Sequence, residues 1–150
     1  MATSAQSLRL FVARSPISAA GGDVADLEVG GVAGLDELVS RASFEDVWVD
    51  QLDWPLRRNT GRSTIVSNEV VTVRDPLDDG QRFLKSVSGH EEPFAFEVRL
   101  DDGAGSRWTF AAHVTGFTTI FPKAGADVEE VAETVFELDV VCPVTETNDL

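Results

Sequence analysis

Phe94-Ala95-Phe96-Glu97-Val98-Arg99-Leu100, then Asp101-Asp102-Gly103-Ala104-Gly105, then Trp108-Thr109-Phe110-Ala111-Ala112-His113-Val114-Thr115, is the stretch that decides the fold class. Phe94, Phe96, Val98 and Leu100 alternate with Ala95, Glu97 and Arg99, the two-residue period of a strand with one buried face. The polar, glycine-bearing run that follows has the composition of a hairpin turn. Trp108, Phe110, Ala112 and Val114 then repeat the pattern in a returning strand, with Thr109, Ala111, His113 and Thr115 on its other face. Gly116 falls inside that pattern and predicts a bulge or a close approach. Further on, Thr134, Phe136, Leu138, Val140 and Cys142 alternate with Glu133, Val135, Glu137, Asp139 and Val141. This third strand buries one side and presents three carboxylates on the other.

Outward from this core, 150 residues suffice for one domain with a hydrophobic interior that needs no metal or disulfide. The single cysteine has no internal partner, and the N-terminal residues lead into no long apolar run, so neither a signal peptide nor a membrane span is expected. An intracellular, reducing compartment fits these features. Twenty-six acids against 12 bases give a formal charge of −14, which argues against holding nucleic acid through its phosphates. Solubility alone also accounts for an acidic excess.

Residues 7 to 13 read as a first strand with Leu8, Leu10 and Val12 on one side, ended by Ser15-Pro16. Leu27 to Val32 is glycine-rich and predicts a loose segment or an edge. Leu38, Ser40, Ala42 and Phe44 alternate with Glu37, Val39, Arg41 and Glu45, a pattern that suits a strand and leaves a helix open. Asp46 to Arg62 has no regular period and reads as a long loop carrying Trp48, Asp50, Asp53, Trp54, Arg57 and Arg58. Long loops in compact domains are commonly functional, and Trp with Arg is the composition of interface anchors. The competing reading is that both tryptophans cover the chain's own core.

Ser63 to Val73 resumes as a strand that is partly apolar on both faces, with Ile65, Val71 and Val73 on one and Val66 and Val70 on the other. A helix is predicted over 76–87: Asp75 as N-cap, Pro76 in the first position, and a stripe of Leu77, Phe83, Leu84 and Val87 with Gly89 just past the end. Gly80 inside it costs roughly 1 kcal/mol relative to Ala, so packing must hold this helix.

Two histidines and one cysteine lie at no metal-ligand spacing, and no phosphate-loop, dinucleotide or nucleophile-elbow pattern occurs. No cofactor, metal or catalytic residue is expected, and the chain does not read as an enzyme.

The order of elements, together with Leu35-Asp36-Glu37-Leu38, the segment Asp46 to Arg62, Gly80-Gln81-Arg82-Phe83-Leu84, Phe96-Glu97-Val98-Arg99-Leu100 and Phe110 to Gly116, resembles the tail tube (major tail) proteins of long-tailed bacteriophages, the lambda type in particular. The likeness covers most of the chain; the extra C-terminal immunoglobulin-like domain of the lambda-type protein is not expected within these 150 residues.

This resemblance implies a mainly β fold with one helix, a single sandwich- or barrel-like tail tube domain over 1–150. Its inner strands would join across subunits into a continuous β-barrel. It further implies hexameric rings stacked into a tube in a virion tail assembled in the host cytoplasm. The implied partners are further copies of the chain, tape-measure, tail-tip and tail-terminator proteins, and double-stranded DNA in transit without tight binding, with no membrane anchor.

In such a tube Glu37, Glu45, Glu69, Glu133, Glu137 and Asp139 are the candidate lumen lining. The segment bearing Trp48, Asp50, Asp53, Trp54, Arg57 and Arg58 is the candidate ring-to-ring contact. A solvated outer face is the other position open to the acids. The alternative function is a soluble β-sandwich or barrel that binds a small ligand or decorates another assembly.

Overall fold

The computed structural model describes residues 7–35, 38, 44–51, 53–59, 66–123, 131–141 and 144–150. Its strands are β1 (Leu8–Pro16), β2 (Ala25–Val29), β3 (Val32–Leu35), β4 (Phe44–Val47), β5 (Leu56–Asn59), β6 (Val66–Val73), β7 (Phe94–Leu100), β8 (Arg107–Ile120), β9 (Glu133–Val140) and β10 (Thr145–Thr147). A helix, α1 (Asp79–Ser86), lies between β6 and β7. One eight-stranded antiparallel sheet runs β2-β1-β7-β8-β9-β6-β3, with β10 added beside the start of β8. β4 and β5 form a separate two-stranded hairpin.

The connection between β2 and β3 dictates the shape of the sheet. These strands stand at opposite ends of the strand order, yet only Gly30 and Gly31 separate them. Three Cα steps span at most about 11 Å, so the sheet must curl until its two ends meet. Gly31 makes the corner with φ +70°, a backbone region that side chains with a Cβ avoid. Its carbonyl accepts the Val73 N–H at 2.8 Å and joins the corner to the end of β6.

One face of the curled sheet turns inward. Leu10, Val12, Val29, Val70, Phe94, Phe96, Val98, Phe110, Phe136 and Leu138 meet there, with Leu84 and Val87 added by α1 and its C-cap. Phe96 stacks on Phe110 with ring centroids 5.5 Å apart. The alternation on β9 holds, since Thr134, Phe136, Leu138 and Val140 are buried while Glu133, Val135, Glu137 and Asp139 occupy the opposite face. The irregularity expected at Gly116 is a register shift between Val114 and Gly116, after which Phe117 replaces an even-numbered residue opposite Phe136.

Several boundaries differ from the expectations. α1 begins three residues later than predicted: Asp78, not Asp75, is the N-cap and accepts the Gln81 N–H, while Asp75 closes a turn onto Leu77 N–H. Leu77 is therefore outside the apolar stripe and 83% exposed. Two carboxylates at capping distance compete for the same role, and the close approach of the helix to β2 decides between them. A Cβ on Gly80 would lie 2.3 Å from the Glu28 carbonyl oxygen, so the helix packs here only because it carries glycine. Gly89 ends the segment with φ +81°.

Leu27 to Val32 is not loose; it is the end of β2, the glycine corner and the start of β3, both of them edge strands. Asp46 to Arg62 is not wholly irregular, because Phe44–Val47 and Leu56–Asn59 pair as β4 and β5 with Glu45 opposite Arg58 and Asp46 opposite Arg57. Pairing of opposite-charge residues leaves no trace in hydrophobic periodicity. β8 runs on to Ile120, and β10 follows β9. Of the expected strand over 38–45, only the part from Phe44 falls in a described strand; Glu37, Ile65 and Cys142 lie outside the described residues.

Candidate functional site

Two outward surfaces carry the residues singled out in the sequence. The first is the exterior of β6, β9 and β8. Register places Glu69 directly opposite Glu137, Ser67 opposite Asp139 and Val73 opposite Glu133. On the other side of β9, Asp139 is opposite His113, Glu137 opposite Gly116 and Glu133 opposite Ile120. Glu69 and Glu137 are exposed, and Asp139 and Glu133 are half-buried. Ser67 donates its hydroxyl to Asp139 Oδ1 at 2.8 Å, and Thr115 donates to the Glu137 carbonyl at 3.2 Å.

None of the outward positions 67, 69, 71 and 73 of β6, 133, 135, 137 and 139 of β9, and 113, 116, 118 and 120 of β8 is Lys or Arg. The face can repel an anion and offers no cation to bind one. Two carboxylates set opposite each other oppose folding, so this arrangement exacts a cost that ordinary surface design avoids.

Four of the six acids expected together are thus on one face: Glu69, Glu133, Glu137 and Asp139. Glu45 is on the separate hairpin, in register with Arg58, and is not brought beside them.

The second surface is that hairpin. Trp48 is 70% and Trp54 59% exposed, with Val47, Val49 and Leu56 also exposed beside Asp50 and Asp53. The reading that both indoles cover the chain's own core is overturned by this exposure. The Arg57 guanidinium lies 4.0 Å from Asp46 across the strands, a solvated pair that adds little stability. A two-stranded hairpin is marginal by itself in water, and this one holds several large apolar side chains outward.

A third grouping was not found in the sequence. Arg9 on β1 is opposite Arg99 on β7, which is opposite Arg107 on β8, so three guanidinium-bearing residues form one row across adjacent strands. Glu28 accepts from Arg9 Nε at 2.7 Å and raises its pKa, Glu97 pairs with Arg99 at 2.7 Å, and Asp149 pairs with Arg107 at 3.1 Å. Phe11, 6% exposed, has Arg99 Cζ 4.0 Å and Arg9 Cζ 5.0 Å from its ring centre. Each arginine falls on a polar position of its strand, but only the register, which no single strand reveals, aligns them.

Neither a protein-family model nor a curated protein matches the sequence. Solved structures do. A chain in the extended-state sheath/tube terminator of the PVC extracellular contractile injection system superposes with TM-score 0.61 at 14% identity, over 93% of this chain and 92% of that one. The fold is the tail tube fold. The SPP1 tail tube matches with TM-score 0.57 at 12% identity, over 95% of this chain and 77% of that one. A chain in the tail of an empty gene transfer agent particle, an assembly of C6 symmetry, matches with TM-score 0.54 at 16% identity, over 92% and 95% of the two chains.

Proposed function

We propose that this protein is the subunit of a phage-like tail tube, assembling into hexameric rings that stack into a conduit for DNA. The observation that carries the reading is the outward face of β6, β9 and the part of β8 that pairs with β9: carboxylates at Glu69, Glu133, Glu137 and Asp139 with no Lys or Arg at the outward positions there, on a tail tube fold. DNA binding grows with each phosphate neutralised by Lys or Arg, because condensed counterions are released. A wall without such cations lets DNA slide, so these four acids line the lumen.

Strand edges favour ring closure. Beyond Val114, β8 pairs only with β9 among the described strands, and β3 pairs only with β6. Such edges are aggregation hazards in a monomer and become partners when neighbouring protomers complete a closed barrel. The hairpin with Trp48, Asp50, Asp53, Trp54, Arg57 and Arg58 supplies the ring-to-ring contact. A patch that differs from the surface it meets is heterologous and propagates along an axis, which is filament geometry.

The assembled tube would sit in a virion or particle tail and end on tail-tip, terminator and tape-measure proteins. Negative-stain microscopy with light scattering on the purified, concentrated protein tests the reading. Rings or tubes with a central hole are expected. A soluble monomer at every concentration would instead favour a ligand-binding or decorating domain.

A further inference from the structure

We infer that the β4–β5 hairpin of one copy of this chain seats on an apolar rim formed by Val73, Leu77, Ile120, Phe121 and Val131 of a second copy. The inference rests on the proposed stacking and names the surface that receives the hairpin. Ten of the fourteen large hydrophobic side chains exposed among the described residues lie in these two places, the hairpin holding Val47, Trp48, Val49, Trp54 and Leu56. Phe121, at 78%, is the most exposed aromatic of the described chain. Apolar area gathered in this way is what association removes from water, so both surfaces call for a cover.

Strand direction puts the two surfaces at opposite ends of the sheet. β3 ends at Leu35, in register with Val70, and β6 starts at Val66, in register with Val140, so the hairpin between them is tethered where β6 begins and β9 finishes. The rim is where β6 finishes and β9 begins. Val73 and Ile120 both stand opposite Glu133, the Arg74 N–H donates to the Ala132 carbonyl, and Phe121 and Val131 lie just past that row. Leu77 joins them from the turn between β6 and α1. The eight residues of β6 set the two ends about 24 Å apart at the rise of an extended strand.

A second copy displaced along the strands therefore meets this rim with its hairpin. The contact joins two different surfaces, so it repeats along an axis without closing. Hairpin packed on hairpin would instead close a dimer and leave Leu77, Phe121 and Val131 in water. Charge does not choose the partner, since Arg74 and Lys123 share the rim end with Asp75 and Glu133, and Arg57 shares the hairpin with Asp46, Asp50 and Asp53. Apolar area does, and indoles against the Phe121 ring contribute beyond the area they bury.

Substitutions at the rim test this on side chains that the fold does not bury. Phe121→Ser with Val131→Ser should raise the concentration at which tubes appear on the order of tenfold, the loss expected of an interface anchor, while single rings persist. Trp54→Ala should do the same. The three changes together should raise it little further, because side chains that meet across one contact are lost once, whereas unconnected sites would multiply to about a hundredfold. Circular dichroism and a thermal melt check that each variant folds. An independent arm co-assembles two pools in a Cys142→Ser background, one with Gln51→Cys and the other with Arg74→Cys, and treats them with a short bismaleimide. Linked pairs should form in the mixture and in neither pool alone.

Parent-like assembly of the rim variant, a hundredfold combined effect, or links confined to the Gln51→Cys pool would each overturn the inference although tubes exist. The last of these would mark a closed hairpin-to-hairpin contact. Should the rim variant not fold, the cross-linking arm decides, and a mixture without linked pairs overturns the inference. If the parent protein forms neither rings nor tubes, the stacking reading itself fails, and the seat fails with it.

Discussion

Gln81 is 1% exposed and meets the backbone at three points. Its amide nitrogen donates to the Gly30 carbonyl at 2.8 Å and to the Val73 carbonyl at 2.9 Å, and its oxygen accepts the Asp75 N–H at 3.1 Å. One side chain thus ties the glycine corner, the end of β6 and the turn before α1 at the seam where the sheet closes. In the sequence Gln81 is an ordinary polar residue of a helix, because nothing in helical periodicity says that its surroundings are backbone rather than water. Replacing it with Leu strands those three groups, and urea denaturation should show a loss of at least about 3 kcal/mol, since each buried unpaired group costs about 1 to 3.

Gly80→Ala gains about 1 kcal/mol in helix propensity but drives a Cβ toward Glu28, so the same assay should show net destabilisation. Asp102 gives a pH-dependent case. The Ser106 hydroxyl and then the Ala104 N–H favour its charged form and lower its pKa. Because the folded value is the lower one, the stabilisation is complete above the unfolded carboxylate's pKa of about 3.9 and disappears as pH falls through the folded value. An NMR titration should place the Asp102 midpoint below that of a free side chain, and Ser106→Ala should move it upward.

Among the elements, β7, β8 and β9 were legible because each has a single buried face, and a strand's two-residue period makes the inward set unmistakable. Phe136, fully buried on β9 and 6.2 Å from Phe117 by ring centres, tests that assignment. Phe136→Ala should cost about 3 to 5 kcal/mol in an unfolding experiment, the range for large-to-small changes in a packed core. The β4–β5 hairpin was not legible, since its pairing rests on opposite charges and its apolar side chains point outward.

Its proposed role separates two energies. Trp48→Ala with Trp54→Ala should leave the monomer's melting temperature nearly unchanged, because exposed side chains add little to the fold. Each change should weaken assembly by on the order of 2 kcal/mol, read from the concentration dependence of tube formation. A large loss of monomer stability would mean that the indoles pack on their own chain.

Across the whole molecule, the acidic balance and the alternation on β9 made the carboxylate face readable before the fold was known, whereas Glu69 joined Glu137 only through strand register. The arginine row stayed hidden for the same reason: cross-strand alignment depends on topology, and the closure through Gly30 and Gly31 lies in a segment whose glycines look like disorder. If the acidic face lines a lumen, Glu133→Lys with Glu137→Lys should still give tubes yet retain DNA during ejection. That retention should ease as salt rises, because counterion release drives it.

Cryo-EM reconstruction of the assembled protein addresses the tube and its lining in one map. Stacked six-fold rings are expected, with Glu69, Glu133, Glu137 and Asp139 on the inner wall and the β4–β5 hairpin between rings. Rings whose inner wall is formed by another surface, with those four carboxylates on the outside, would contradict the proposed conduit.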